Sequence, residues 1–331
     1  MRNCSYLKAY ANIINIENYK NSRKEETMNI KNIIEKLKEK VEERNILKDE
    51  ILADHTTYKI GGPADIFVVP QNKEELIHSV KVCRENNAEY VILGRGSNIL
   101  VSDNGFRGVV INTGDNYSKI EITDDEIYAE AGAGLINVSY KAYDSSLVGL
   151  EFACGIPGTI GGAVCMNAGA YGGDMKQIVT EVEVIDEKNE ISIINNDQMQ
   201  FAYRHSIVQE KGYIVLSVKM KLIKGNKEEI KVIRERLKVH RIKGQPLDMP
   251  SAGSVFIRPD GNFPGKMIED LGLKGYTIGG AQVSEKHANF IVNIGNAKAT
   301  DVLELIEYVN SELEKGYGMK LGVEIKTLGK M

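Results

Sequence analysis

Gly155-Ile156-Pro157-Gly158-Thr159-Ile160-Gly161-Gly162-Ala163-Val164-Cys165-Met166-Asn167-Ala168-Gly169-Ala170-Tyr171-Gly172-Gly173 places seven glycines and one proline in nineteen positions, with no charged side chain. Glycine admits positive φ and lets backbone amides approach a ligand closely, so the stretch reads as a wall for a flat, phosphorylated ligand. A flexible linker would be polar and serine-rich, whereas Ile156, Ile160, Val164 and Met166 recur at spacings that favour burial. A second glycine turn, Gly94-Arg95-Gly96-Ser97-Asn98, follows the apolar run Tyr90-Val91-Ile92-Leu93, which reads as a strand. Two separate backbone cradles suit a long ligand such as a dinucleotide.

The turn at Gly94 is not the fingerprint of a doubly wound dinucleotide-binding sheet. The third glycine is missing, and Ile99-Leu100-Val101 continues as strand where that fingerprint would open a helix. Gly261-Asn262-Phe263-Pro264-Gly265-Lys266-Met267 has the wrong spacing for a triphosphate loop and lacks the hydroxyl after the lysine. Neither the five histidines nor the four cysteines fall at ligand spacing, so no metal is expected.

A net charge of −4 over 331 residues gives no basic face, which argues against a nucleic-acid partner. No apolar run approaches the roughly 20 residues that span a bilayer, and Asn12, Asn15, Glu17 and Asn18 break up any signal-peptide core. A cytoplasmic location with reduced cysteines is the expectation. Nothing in the sequence requires an oligomer.

Along the chain, residues 1–27 are polar and read as a disordered extension, with Met28 an alternative start. Residues 28–50 read as an N-terminal helix, amphipathic to about Asn45, and Lys224-Gly225-Asn226 marks a boundary between residues 51–225 and a small α+β unit over 226–331. Within 51–225, strand and helix signals alternate. Ile214 to Leu222 alternates apolar inward residues with Val215, Ser217, Lys219 and Lys221, the pattern of a half-buried strand. The fold class is α+β.

Three further spots carry candidate chemistry. Tyr203-Arg204-His205-Ser206 sets an arginine among aromatics, Ser251-Ala252-Gly253-Ser254 sets two serines among small residues, and Glu324 interrupts the apolar run Leu321–Ile325. Each has a simpler structural reading: a surface ion-pairing arginine, a turn, and a solvent-facing carboxylate.

Taken together, these segments resemble the UDP-N-acetylenolpyruvoylglucosamine reductases of bacterial cell-wall synthesis over about residues 50–330. The resemblance rests on Thr57-Tyr58-Lys59-Ile60-Gly61-Gly62-Pro63-Ala64, the Gly94–Asn98 turn, Ile156-Pro157-Gly158 through Tyr171-Gly172, and Tyr203-Arg204-x-Ser206. It continues through Gln245-Pro246, Ala252-Gly253-Ser254, Gly279-Gly280-Ala281 and Glu324. The interval between Tyr203 and Ser254 is short, as in the family's second, short-loop type. Gly244, beside Lys243, stands where some members carry a lysine, so no lysine is assigned to catalysis.

The resemblance implies a two-subdomain FAD-binding fold of the vanillyl-alcohol-oxidase type over 51–225, in subdomains of about 51–115 and 116–225, followed by a smaller C-terminal substrate domain over 226–331. It implies FAD as cofactor, NADPH as co-substrate and a UDP-sugar enolpyruvyl ether as substrate. FAD would be non-covalent, since no His or Cys lies between Gly94 and Ser102. Its contacts would fall on Tyr58, Ile60, Gly94, Arg95, Gly96, Ser97, Asn98, Ile156, Pro157, Gly158, Thr159, Gly161, Gly162, Asn167, Gly169, Ala170 and Tyr171. Arg204, Ser254 and Glu324 would be catalytic, and Tyr203, Arg204, Gln245 and Ser254 would bind substrate. The alternatives are a flavin oxidase or dehydrogenase of the same fold acting on an alcohol or hydroxy acid, and a non-catalytic flavin-binding protein.

Overall fold

The computed structural model describes residues 29–331, so the extension expected over 1–27 and the start at Met28 lie outside the described residues. The helix expected from 28 onward is shorter than its periodicity suggests. It runs Ile30–Leu37, with the Asn29 side chain accepting the Asn32 N–H at its N-cap. Ile46–Ile51 is a strand, where the sequence reading carried the N-terminal helix on to residue 50.

The chain forms two compact units, neither continuous in sequence. The first takes the described residues up to Ile46, Val68–Gly94 and Ile111–Leu237, and the second takes Leu47–Phe67, Arg95–Val110 and Lys238–Met331. This grouping differs from the linear division at 225/226. The reason lies in a parallel strand pair: Ile99–Val101 lies beside Lys326–Leu328, with Ile99 opposite Lys326. That pair binds an early segment to a late one.

The first unit is built on a five-stranded antiparallel sheet, in the order Ile191–Asn195, Val179–Ile185, Ile214–Lys221, Glu126–Glu130 and Ile120–Thr123. Ile214–Lys221 is central, and its first five residues are buried on both faces rather than one. The short helix Ile160–Cys165 packs against it, burying Ile160, Ala163 and Val164. Outward-facing Ser217 is satisfied by the Glu183 carboxylate at 3.1 Å, as a buried hydroxyl requires.

Of the strands that fall mainly in the second unit, Ile46–Ile51, Pro63–Val68 and Phe106–Asn112 lie side by side in that order. A three-stranded antiparallel sheet, Thr277–Ile278, Ala281–Val283 and Ile291–Asn293, supports the long helix Ala299–Tyr317. One apolar cluster joins Tyr58, Ile60 and Leu100 to Ala252, Val255, Phe256 and Ile325. The Asn310 carboxamide exchanges two hydrogen bonds with Leu321, which turns the chain from the helix back toward its final strand. Among the described residues no helix is long and apolar enough to cross a membrane.

Candidate functional site

The structure distributes the residues expected at the site between the two units. Gly94, the whole of 156–171, Tyr203 and Arg204 belong to the first; Tyr58, Ile60, 95–98, Gln245, Ser254 and Glu324 belong to the second.

In the second unit, three sequence-distant motifs are tied together by short hydrogen bonds. Asn98 Nδ2 donates to the Glu324 carbonyl at 3.2 Å, and the Lys326 N–H donates to the Asn98 carbonyl at 2.9 Å. Thr57 exchanges bonds with Ser251, its Oγ1 donating to the Ser251 carbonyl at 2.7 Å, while its N–H donates to the Gly96 carbonyl at 3.4 Å. The glycine turn is therefore joined to the Glu324 segment on one side and, through Thr57, to the Ser254 loop on the other.

Ser254 and Glu324 lie on neighbouring extended segments, where Ser254 is bridged to Phe290 and Phe256 to Val323. The Glu324 N–H donates to the Val255 carbonyl at 2.7 Å, and the Ile257 N–H donates to the Gly322 carbonyl at 2.8 Å. Flanking Ala252, Val255 and Phe256 are anchored in the core, whereas Ser254 and Glu324 are half-buried. Gly253 sits at φ +82 with open space where a Cβ would be, so its backbone conformation rather than crowding calls for glycine.

In the first unit, Arg204 sits on a tight turn closed by mutual backbone bonds between Ala202 and His205. Asn167 Nδ2 donates to the Ala202 carbonyl at 3.0 Å, and Ser206 Oγ donates to the Cys165 carbonyl at 2.8 Å. Gln209 Nε2 bridges the Cys165 carbonyl at 2.6 Å and the Arg204 carbonyl at 3.1 Å. The Arg204 guanidinium lies 4.9 Å from the ring centroid of exposed Tyr203. Asn167, Tyr171 and Arg204 all hold positive φ, at 41°, 55° and 54°. Side chains other than glycine pay for that conformation, and such strain gathers at functional sites.

The glycines answer to different neighbours. A Cβ on Gly96 would stand 2.5 Å from the His55 carbonyl, and one on Gly94 would stand 2.5 Å from Thr159 Oγ1, so the protein's own atoms demand both glycines. Gly162 is exposed, and its Cβ would meet nothing closer than Thr159 Oγ1 at 3.6 Å. Several amides of the glycine-rich wall are engaged internally: Ile156 donates to Ala153, Ile160 to Ala133 and Gly161 to Ala131. The amides of Gly96 and Asn98, by contrast, donate to no described residue.

Buried polar atoms without a partner mark where a ligand fits. Tyr58 Oη is one; the residue is fully buried, and burial drives its phenol pKa far upward, so it stays a neutral donor. Asp174 Oδ1 and Gln245 Oε1 are others. Asp174 lies beside Asn167, whose Nδ2 is 3.5 Å from its second oxygen. Within the second unit, Tyr58 Oη, Gln245 Oε1 and the amides of Gly96 and Asn98 leave the polar capacity that a dinucleotide would use.

Sequence reasoning gave no role to Thr57, Asn289 or Gln209. Thr57 stood within a quoted motif, but the pairings of all three depend on contacts remote in sequence.

The α+β architecture is that of a flavoprotein of the FAD-binding oxidoreductase class, for a family model described as "FAD binding domain" matches residues 64–195. A second, "UDP-N-acetylenolpyruvoylglucosamine reductase, C-terminal domain", matches residues 245–328. A UDP-N-acetylenolpyruvoylglucosamine reductase of Caldanaerobacter subterraneus subsp. tengcongensis is 50% identical over 90% of this chain and 98% of its own length. One from Clostridioides difficile is 47% identical over 91% and 97%. The crystal structure of the Thermus caldophilus reductase covers 85% of this chain and 98% of its own, with 36% identity and a TM-score of 0.73. The chain belongs to the UDP-N-acetylenolpyruvoylglucosamine reductase family.

Proposed function

We propose that this protein reduces the enolpyruvyl ether of UDP-N-acetylglucosamine enolpyruvate to UDP-N-acetylmuramate in peptidoglycan precursor synthesis, with FAD held non-covalently and NADPH as co-substrate. The reading is supported by family membership over nearly the full length of the relatives. The observation that carries it is the hydrogen-bonded joining of the glycine turn, the Ser254 loop and Glu324 within one unit. A nucleotide-sugar substrate suits the cytoplasm.

The amides of Gly96 and Asn98 would hold the FAD pyrophosphate, with Tyr58 and Ile60 beside that turn. The wall from Ile156 to Gly162 and from Asn167 to Tyr171 would face the remainder of the cofactor. A flavin held there would supply the hydride chemistry, with NADPH as the source, for C3 of the substrate's enolpyruvyl group. Negative charge then develops at C2 and spreads into the adjoining carboxylate. Arg204 offers the planar fork of donors that grips a carboxylate in two places, and Glu324, in its protonated form, donates a hydrogen bond to the same enolate. Ser254 Oγ–H delivers the proton to C2. A serine hydroxyl is a weak acid, so its contribution comes from placement against a strongly basic carbon. Tyr203 and Gln245 complete the substrate contacts.

The test is optical. Protein purified in the dark should be yellow, bleach with NADPH under anaerobic conditions, and regain colour on addition of the enolpyruvyl substrate. Bleaching by an alcohol or hydroxy acid but not by NADPH would select the oxidase reading, and a flavoprotein inert to both would select the binding protein. Gly162→Val locates the cofactor: because a Cβ there meets only Thr159 Oγ1, at ordinary contact distance, FAD should be lost with little change in thermal stability of the apoprotein. Full FAD occupancy in that variant would move the cofactor off this face.

A further inference from the structure

Asn289 has no part in the chemistry above, yet it holds the residues that follow Ser254. It is 6% exposed, and its carboxamide behaves as a substitute peptide group. Oδ1 accepts the Phe256 N–H at 2.9 Å, while Nδ2 donates to the Phe256 carbonyl at 3.0 Å. Its own backbone carbonyl accepts the Val255 N–H at 2.8 Å. Val255 in turn receives the Glu324 N–H. Residues 254–257 belong to no regular strand and are fixed by isolated bridges at Ser254 and Phe256. The Asn289 side chain therefore supplies two of the bonds that a neighbouring strand would otherwise provide. Both of its polar atoms are satisfied, and both Phe256 backbone groups are buried, so losing the pair leaves donor and acceptor unmet.

We propose that Asn289 is the positioning residue for proton delivery, setting Ser254 Oγ in register with Glu324 and with substrate C2. This rests on the reading of Ser254 as proton donor. A weak acid depends on placement, and a displacement of about 1 Å can cost on the order of 10²-fold in rate.

Asn289→Asp keeps the size and the acceptor but removes the donor to Phe256; Asn289→Ser removes the pair while leaving room for water. In either variant FAD should be retained, and bleaching by NADPH should run at the parent rate. Single-turnover reoxidation by the enolpyruvyl substrate should slow by about 10–100-fold, with the half-saturating substrate concentration unchanged. In a Ser254→Ala background, the same substitution should slow reoxidation by less than about twofold, because the group it places is already gone. Parent-rate reoxidation, or a slowing that multiplies with that of Ser254→Ala, would remove Asn289 from proton delivery and leave the serine's role standing. Loss of FAD or of bleaching in both variants would make Asn289 part of the scaffold only. If Ser254→Ala by itself reoxidised at the parent rate, the proton-donor reading would fail and this proposal with it.

Discussion

Arg204 and Ser254 are presented by opposite structural means. Arg204 stands on a turn at φ 54° that is held to the end of the helix Ile160–Cys165 by three side chains, Asn167, Ser206 and Gln209. Ser254 stands on extended backbone whose neighbours bond to Asn289 and Glu324 by main-chain groups, with one carboxamide completing the ladder. An anion grip tolerates some play, because the guanidinium fork is long and turns to meet its target. Proton delivery to carbon tolerates less, and the serine has the stiffer support.

The largest effect should come from Ser254→Ala. Reoxidation by the enolpyruvyl substrate should slow by about 10²–10⁴-fold, the usual contribution of a positioned proton donor, while NADPH bleaches the protein at nearly the parent rate. Slow bleaching with normal reoxidation would assign the serine to the nicotinamide half instead. Arg204→Ala should strike the same half-reaction by about 10–100-fold and also raise the substrate concentration needed for saturation, since a charge-assisted bond to the carboxylate acts in binding as well as in the transition state. An unchanged saturation curve would break the contrast, because the arginine would then act on the transition state alone.

Gln209→Leu sharpens the contrast, because it frees the Arg204 turn without touching the guanidinium. The expected loss is about tenfold at most and is confined to substrate affinity, measured by titrating the bleached enzyme. A loss as large as that of Arg204→Ala would show that the turn is as exacting as the serine's ladder. The smallest effect concerns acid. His287 Nδ1 accepts the Asn289 N–H at 3.3 Å, and burial lowers its pKa below the ordinary value of 6.5. The folded state therefore binds its proton less readily than the unfolded chain does. The resulting stability is fully present above about pH 6.5 and is lost as the pH falls through the depressed value. Melting temperature should drop as the pH falls below about 6.5, and His287→Gln should flatten part of that slope; an unaltered slope would remove the imidazole from the account.

Local chemistry made much of this legible. The glycine-rich wall, the strand at Ile99–Val101 and the small-residue loop before Ser254 are written in short runs whose residues leave few backbone choices. Ile46–Ile51 was not legible, since Lys48, Asp49 and Glu50 give it no apolar alternation. Ile214–Val218 looked half-buried because Ser217 reads as an outward residue until Glu183 is known to meet it. Gly96 was read as a glycine kept for a ligand, whereas the His55 carbonyl already fills that space. Asn289 and Gln209 carry no signal at all in sequence, because a carboxamide that replaces a peptide group looks like any other polar residue until its partner, tens of residues away, is seen. The division into units failed to show for the same reason: no property of residues 95–110 announces a partner at 326–328.

That parallel pair has a consequence for how the protein is made. Lys326–Leu328 leaves the ribosome about 225 residues after the strand it joins. At roughly 5–20 residues per second, Ile99–Val101 waits for tens of seconds with an unpaired edge. The second unit is thus completed only once Lys326–Leu328 has emerged, and a nascent chain stalled before Lys326 should be a client for chaperones rather than a partly active enzyme.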